Sequence, residues 1–139
     1  MKKLTVILLL CAGFLLLTII LLPHLTSKEP YTYEEAVEKF ATGKVIPVDG
    51  EKMHFIESGS GEPVILIHGF LYHTIMWRQN MDTLAENFKV YAIDLYGWGY
   101  SERLNETEYS FDRYAKQVIG FMDALGIQKA SLVGQSMGS

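Results

Sequence analysis

Three short apolar runs separated by two segments of helical periodicity constrain the fold of this chain more than any other feature. The runs lie within three predicted strands, residues 63–67, 89–94 and 130–133. The first of them is apolar without interruption, which is typical of a strand buried on both faces. Residues 73–88 and 110–125 repeat apolar side chains at helical spacing. In the second helix, Ser110 is the predicted N-cap and Phe111 is predicted on the buried face. This alternation predicts an α/β fold, with a mostly parallel sheet covered by helices on both faces.

An antiparallel hairpin is predicted ahead of this alternation. Residues 45–48 and 52–57 read as two strands joined by Asp49-Gly50, the residues that a two-residue type I′ turn favours. Pro47 has no backbone N–H to donate, so the first strand belongs at an edge of the sheet.

The N-terminus has a different character. Lys2 and Lys3 precede nineteen residues without a charge, 4–22, and a helix of that length spans about 30 Å of hydrocarbon. We therefore expect residues 1–23 to form an uncleaved signal anchor, a transmembrane helix. The two lysines predict a cytoplasmic N-terminus and an extracytoplasmic domain, either periplasmic or extracellular. The alternative is a cleaved signal peptide and a secreted protein.

Residues 24–43 are predicted to form a juxtamembrane linker that contains one short helix. Thr32 and Glu35 match a capping box at the start of that helix, and Gly43 follows its end. Residues 44–139 are assigned to the folded domain.

Composition excludes several classes of function. The formal net charge is −4 with scattered basic residues, so we expect no nucleic-acid partner. The single cysteine, Cys11, cannot form an internal disulfide. We expect no metal and no cofactor, because the sequence has no ligand cluster of the usual spacing. Gly97 and Gly99 are not followed by the helix that a dinucleotide loop requires.

The last apolar run, which is predicted to be a buried strand, leads directly into Gly-Gln-Ser-Met-Gly, residues 134–138. This is a G-x-S-x-G motif, in which a sharp turn after a strand exposes the serine hydroxyl above the sheet. Such a pentapeptide arises by chance in about one chain of this length in twenty. The preceding strand is therefore what gives the motif its meaning.

Two further motifs follow the first two strands: His-Gly-Phe at residues 68–70, and Asp-Leu-Tyr-Gly-Trp-Gly-Tyr-Ser at residues 94–101. Together with the serine motif, in this order and at these intervals, they resemble the N-terminal half of an α/β-hydrolase. The resemblance covers residues 44–139, and residues 1–43 lie outside it.

The resemblance implies a role for each matching position. Ser136 corresponds to the nucleophile, and the backbone N–H groups of Phe70 and Met137 correspond to the oxyanion hole. His68 precedes the serine, whereas the family's catalytic histidine follows it, so His68 is expected to fix its loop. Asp94 corresponds to a structural aspartate. The remaining motif positions are glycines with a structural role: Gly69, Gly97, Gly99, Gly134 and Gly138.

The implied function is that of a membrane-anchored serine hydrolase, esterase-like or lipase-like, acting on a small, apolar carbonyl substrate through an acyl-enzyme. A serine at position 136 argues against the family's dehalogenases and epoxide hydrolases, which use a carboxylate. Esterase, lipase, thioesterase, C–C hydrolase, perhydrolase and acyltransferase activities stay open.

The family's catalytic acid and histidine come after the serine, and only three residues follow Ser136. We therefore expect this chain to be a fragment, truncated after the central strand and inactive by itself. The alternative from another class is a non-catalytic α/β-hydrolase fold that serves as a binding module at the membrane.

Overall fold

The structure is a computed structural model that describes residues 2–26, 30–104 and 109–139. It contains two compact units, Met1–Thr32 and Tyr33–Ser139. The helices and strands are α1 (Lys2–Thr26), α2 (Tyr33–Phe40), β1 (Lys44–Val48), β2 (Glu51–Ser58), β3 (Glu62–Ile67), α3 (Arg78–Ala85), β4 (Phe88–Ile93), α4 (Phe111–Ala124) and β5 (Ser131–Gly134), with 3₁₀ turns at Thr74–Trp77 and Ser136–Gly138.

The N-terminal unit contains α1, whose apolar side chains include the exposed Leu9 and Phe14. Taken over the residues that the structure describes, no helix combines the length and the apolar character needed to cross a membrane.

The second unit is built on one five-stranded sheet with the strand order β1-β2-β4-β3-β5. β3 runs parallel to β4 and to β5, whereas the pairs β1–β2 and β2–β4 are antiparallel. The prediction of a mostly parallel sheet is therefore wrong, and the sheet is mixed. The reason is that the hairpin adds to the sheet through β2, which pairs with β4 in the antiparallel sense.

The hairpin itself is confirmed. Val48 pairs with Glu51, and the two turn residues Asp49 and Gly50 have φ values of 51° and 89°, as a type I′ turn requires. Pro47 lies in β1, at an edge of the sheet as predicted.

Helices cover both faces of the sheet. On one face, Phe121 of α4 packs edge-to-face on Phe55 and Tyr91, with ring centroids 5.1 and 5.7 Å apart. On the other face, Met81 of α3 packs with Val90 and its neighbours on β3 and β4. The alternation of side chains along β4 explains the two layers, since Tyr91 and Val90 point to opposite faces.

Two helical predictions need correction. Residues 73–88 do not form one helix: a 3₁₀ turn precedes α3, and Phe88 already pairs with Glu62 as the first residue of β4. Helical spacing from Met81 placed Phe88 on the helix, although its apolar side chain belongs to the sheet. In α4, Phe111 was predicted on the buried face but is 72% exposed.

The last strand was predicted to be buried. β5 instead lies at one edge of the sheet formed by the described residues, where Leu132 is 56% and Val133 is 42% exposed.

Candidate active site

The turn after β5 presents Ser136 in a strained conformation. Ser136 has φ of +54°, in the left-handed region that non-glycine residues rarely adopt. Its side chain is exposed. A 3₁₀ turn follows, in which the N–H of Gly138 donates to the carbonyl of Gln135 over 3.0 Å. A Cβ atom on Gly134 would collide with the Gly138 carbonyl, so the tight turn requires glycine there.

The loop after β3 lies against this turn. The N–H of Gln135 donates to the carbonyl of Ile67, the last residue of β3, over 3.2 Å. A Cβ atom added to Gly69 would lie 3.1 Å from the Cβ of Ser136 and would collide with Gln135. The absence of a side chain at Gly69 therefore lets residues 68–70 approach the serine.

Two backbone donors flank the serine. Within the described ranges, the N–H groups of Phe70 and Met137 form no backbone hydrogen bond. Phe70 and Met137 also line the same cavity. These are the two groups predicted to form an oxyanion hole, and the structure places both residues beside the turn that carries Ser136.

His68 is fully buried and joins two loops. Its Nε2 accepts a hydrogen bond from the N–H of Leu95 over 3.0 Å, and its Nδ1 lies 2.8 Å from the carbonyl oxygen of Gly69. Nε2 therefore carries no proton and Nδ1 donates, which defines one neutral tautomer. Burial lowers the pKa of His68 below its ordinary value, in agreement with that state. The ring thus links residue 69 to the loop after β4.

Asp94 directly follows β4 and is fully buried. Its carboxylate accepts hydrogen bonds from three segments of the chain. Its Oδ1 accepts from the N–H of Thr74 over 2.6 Å, and its Oδ2 accepts from the N–H of Tyr100 over 3.0 Å. Burial alone raises the pKa of Asp94, but the hydrogen bonds from His54, Tyr100 and Thr74 outweigh it and hold the pKa below its ordinary value. Asp94 is therefore a buried carboxylate that fixes loops.

The third partner of Asp94 is a residue that the sequence did not single out as a site residue. Nδ1 of His54 lies 2.8 Å from Oδ2 of Asp94, and the two side chains are 1% and 0% exposed. The register explains the contact: Phe55 pairs with Ile93, so the preceding residue of β2 faces the residue that follows β4. The sequence alone does not predict this contact between His54 and Asp94, because the contact depends on the pairing of β2 with β4.

The glycines of the loop after β4 leave room for side chains that pack closely against the backbone. Gly99 has φ of +53°, and a Cβ atom there would collide with the carboxylate of Asp94. Gly97 has φ of +84°, and a Cβ atom there would lie 2.9 Å from the ring of Tyr109. Trp98, between them, packs edge-to-face on Phe70 with ring centroids 5.0 Å apart.

A cavity of about 400 Å³ opens beside the two backbone donors. This volume lies in the range of small-molecule sites. Its lining is mostly aromatic and apolar and consists of Phe70, Gly97, Trp98, Arg103, Tyr109, Ser110, Phe111, Tyr114 and Met137. The cavity can therefore hold an apolar group next to the turn that carries Ser136.

The structure thus brings the serine turn, the loop of residues 68–70 and Trp98 together at one end of the sheet. Asp94 and His54 lie behind this surface and support it. Within the ranges that the structure describes, no group of three or more histidine, cysteine, aspartate or glutamate side chains is placed to hold a metal ion.

Known proteins of similar sequence are hydrolases. The chain is 37% identical over 99 residues to 2-hydroxymuconate semialdehyde hydrolase of Pseudomonas sp. (strain CF600), a match that covers 69% of this chain and 35% of that protein. It is 37% identical over 98 residues to bifunctional epoxide hydrolase 2 of Sus scrofa, which covers 69% of this chain and 18% of that protein.

A solved structure shares the fold as well. A variant of the meta-cleavage product hydrolase from Pseudomonas fluorescens IP01, complexed with acetates, superimposes with a TM-score of 0.66 at 37% identity. The match covers 69% of this chain and 36% of that one. The chain thus spans about a third or less of the length of these relatives.

The family model for the alpha/beta hydrolase fold matches residues 62–139, more than half of the chain. This range includes the turn with Ser136, the loop with His68 and the buried Asp94. The chain belongs to the α/β-hydrolase fold family.

Proposed function

We propose that the whole protein is a serine hydrolase in which Ser136 attacks a carbonyl carbon. The backbone of Ser136 supports this proposal most strongly: a serine held at φ of +54° on an exposed turn is the arrangement that presents a nucleophilic hydroxyl at the end of the sheet. The N–H groups of Phe70 and Met137, which form no backbone hydrogen bond within the described ranges, are suited to receive the oxygen of the same carbonyl.

The chemistry follows from these positions. The Ser136 hydroxyl adds to the carbonyl carbon, and the carbonyl oxygen gains a negative charge that the N–H groups of Phe70 and Met137 stabilise. Such donors contribute about 2.7–4 kcal/mol each to transition-state stabilisation in serine hydrolases. Collapse of the tetrahedral intermediate expels the leaving group and leaves an acyl-enzyme, which water hydrolyses. In the whole protein, a histidine supported by an acid is proposed to take the proton of the Ser136 hydroxyl and to pass it to the leaving group.

The cavity and the relatives narrow the substrate class. We infer a small substrate with an apolar group, because the cavity lining is mostly aromatic. The similarity to 2-hydroxymuconate semialdehyde hydrolase favours a small carbonyl compound as the substrate. The serine at position 136 argues against the carboxylate-dependent chemistry of epoxide hydrolases.

Substitution of the serine tests the proposal. In the whole protein, Ser136→Ala should lower kcat for p-nitrophenyl acetate by a factor on the order of 10⁶, as loss of the nucleophile does in other serine hydrolases. Ser131→Ala is the matched control, since Ser131 is an exposed residue of β5, and it should keep full activity. Full activity in Ser136→Ala would contradict the proposal, and inactivity of the unaltered protein would favour the binding-module alternative.

We further propose that residues 4–22 anchor the protein in a membrane, with the N-terminus cytoplasmic and the domain extracytoplasmic. The support is the charge-free run after Lys2 and Lys3. The protein should stay in the membrane pellet after alkaline carbonate extraction, and mass spectrometry should find an uncleaved N-terminus. A mature N-terminus near Ser27 would contradict the anchor and indicate a secreted protein.

A further inference from the structure

The second unit contains a buried cluster in which one carboxylate accepts hydrogen bonds from three segments of the chain. The Asp94 carboxylate accepts hydrogen bonds from the start of the 3₁₀ turn at Thr74, from the N–H of Tyr100, and from the ring of His54. Thr74 ends the loop that carries Phe70, and Tyr100 ends the loop that carries Trp98. The two loops that form the wall beside Ser136 are therefore fixed by the same two oxygens.

His54 is bound from both sides. Its Nδ1 lies 2.8 Å from Oδ2 of Asp94, and its Nε2 lies 2.8 Å from the carbonyl oxygen of Thr42. An ionised carboxylate and a backbone carbonyl are acceptors only. Both hydrogen bonds therefore form together only when the ring donates from both nitrogens.

The same cluster reaches the segment before β1. Thr42, bound by His54, lies just beyond α2, and the hydroxyl of Tyr33, the first residue of α2, donates to the carbonyl of Tyr100 over 2.9 Å. The ring of Tyr100 packs edge-to-face on His54 at 5.3 Å. Hydrogen bonds thus join both ends of the segment 33–42 to residues that surround Asp94.

We propose that His54 is a positioning residue for the reaction at Ser136. By donating to Asp94 and to the carbonyl of Thr42, it holds the Asp94 carboxylate in the place where Thr74 and Tyr100 bind it. Phe70 and Trp98 therefore keep their positions beside the serine. The proposal rests on the proposed function, because the N–H of Phe70 matters only if a carbonyl oxygen develops charge there.

The test is the rate at which a fluorophosphonate probe modifies Ser136 in the whole protein. His54→Leu removes both donors and should slow the first-order modification step at saturating probe about tenfold, less than the 10²–10³ that follows complete loss of an oxyanion donor. The half-saturating probe concentration should change less than twofold, because binding of the probe does not depend on that donor. His54→Asn keeps an N–H for Asp94 and should recover most of the rate.

The control is a variant that weakens the fold elsewhere. Phe121→Leu removes part of an aromatic ring from the core, where the ring packs on Phe55 and Tyr91. It should lower the melting temperature but leave the modification rate unchanged at temperatures where the protein is folded. If His54→Leu slows modification no more than Phe121→Leu does, the proposal is wrong.

Tyr33→Phe supplies a second test that leaves the side chains of His54 and Asp94 unchanged. It deletes only the hydroxyl that binds Tyr100, and we expect about a threefold slower modification. An unchanged rate in Tyr33→Phe, together with a normal rate in a folded His54→Leu, would overturn the proposal. A lack of any modification in the unaltered protein would instead contradict the proposed function itself.

Discussion

Ser136 adopts a backbone conformation that costs a non-glycine residue on the order of 1–3 kcal/mol. The surrounding turn holds it there through hydrogen bonds from Gly138 to Gln135 and from Ser139 to Ser136, each 3.0 Å long. The sequence motif predicts the turn, because a glycine stands two residues before and two residues after the serine, where the backbone is crowded. Local strain of this kind is typical of residues whose side chain must reach out of the fold.

His68 should make stability depend on pH. Burial holds its pKa in the folded state below the value of about 6.5 expected in the unfolded chain. Above pH 6.5 the ring is neutral in both states, and its contribution is fully present. As the pH falls below 6.5, the unfolded state binds the proton first, so stability is lost as the pH falls toward the folded-state pKa.

The slope from one such group reaches at most about 1.4 kcal/mol per pH unit. Chemical denaturation of the whole protein between pH 8 and pH 5 measures it. His68→Gln keeps an acceptor for the N–H of Leu95 and does not titrate, so the variant should show a smaller loss of stability over this range. An identical pH dependence in both proteins would contradict the account of His68 as a buried neutral ring.

At the scale of elements, the sequence predicts local features well. The Asp49-Gly50 turn, the position of Pro47 at an edge and the start of α4 at Ser110 all depend on residues close in the chain. Each has a direct physical cause in backbone geometry or capping. The three loops of the candidate site were likewise predicted from motifs that stand directly after strands.

Contacts between residues far apart in the chain could not be predicted from the sequence. The contact between His54 and Asp94 depends on β2 pairing with β4, forty residues apart, and neither periodicity nor composition specifies a partner strand. Phe88 was assigned to a helix because its spacing from Met81 is helical, whereas pairing with Glu62 places it in β4. Tertiary contacts decide such positions, and a single sequence does not reveal them.

The start of α4 offers a test at this scale. Ser110 is the N-cap of α4, and its hydroxyl accepts from the N–H of Arg113 over 3.2 Å. Ser110→Ala should lower the free energy of unfolding of the whole protein by about 1 kcal/mol. Ser110→Asp, which also caps a helix and adds a negative charge at its N-terminus, should be as stable as the unaltered protein. Equal stability of the alanine variant would show that the cap contributes nothing.

At the scale of the whole molecule, the mixed sheet brings the chemistry to one end. β3, β4 and β5 run parallel, so the residues that follow these three strands meet at the same end of the sheet. Residues 68–70, 94–101 and 134–138 lie there because each follows one of these strands. His54 lies on β2, which runs antiparallel to β4, and it lies behind the same end of the sheet. Thus strand direction, rather than any single motif, assembles the candidate site.

The central claim is that Ser136 is the nucleophile, and covalent labelling tests it most directly. The whole protein is treated with a fluorophosphonate probe and digested, and the modified residue is located by mass spectrometry. We predict a single adduct on Ser136 that is absent from Ser136→Ala and retained in Ser131→Ala. An adduct on another serine, or labelling that persists in Ser136→Ala, would contradict the claim.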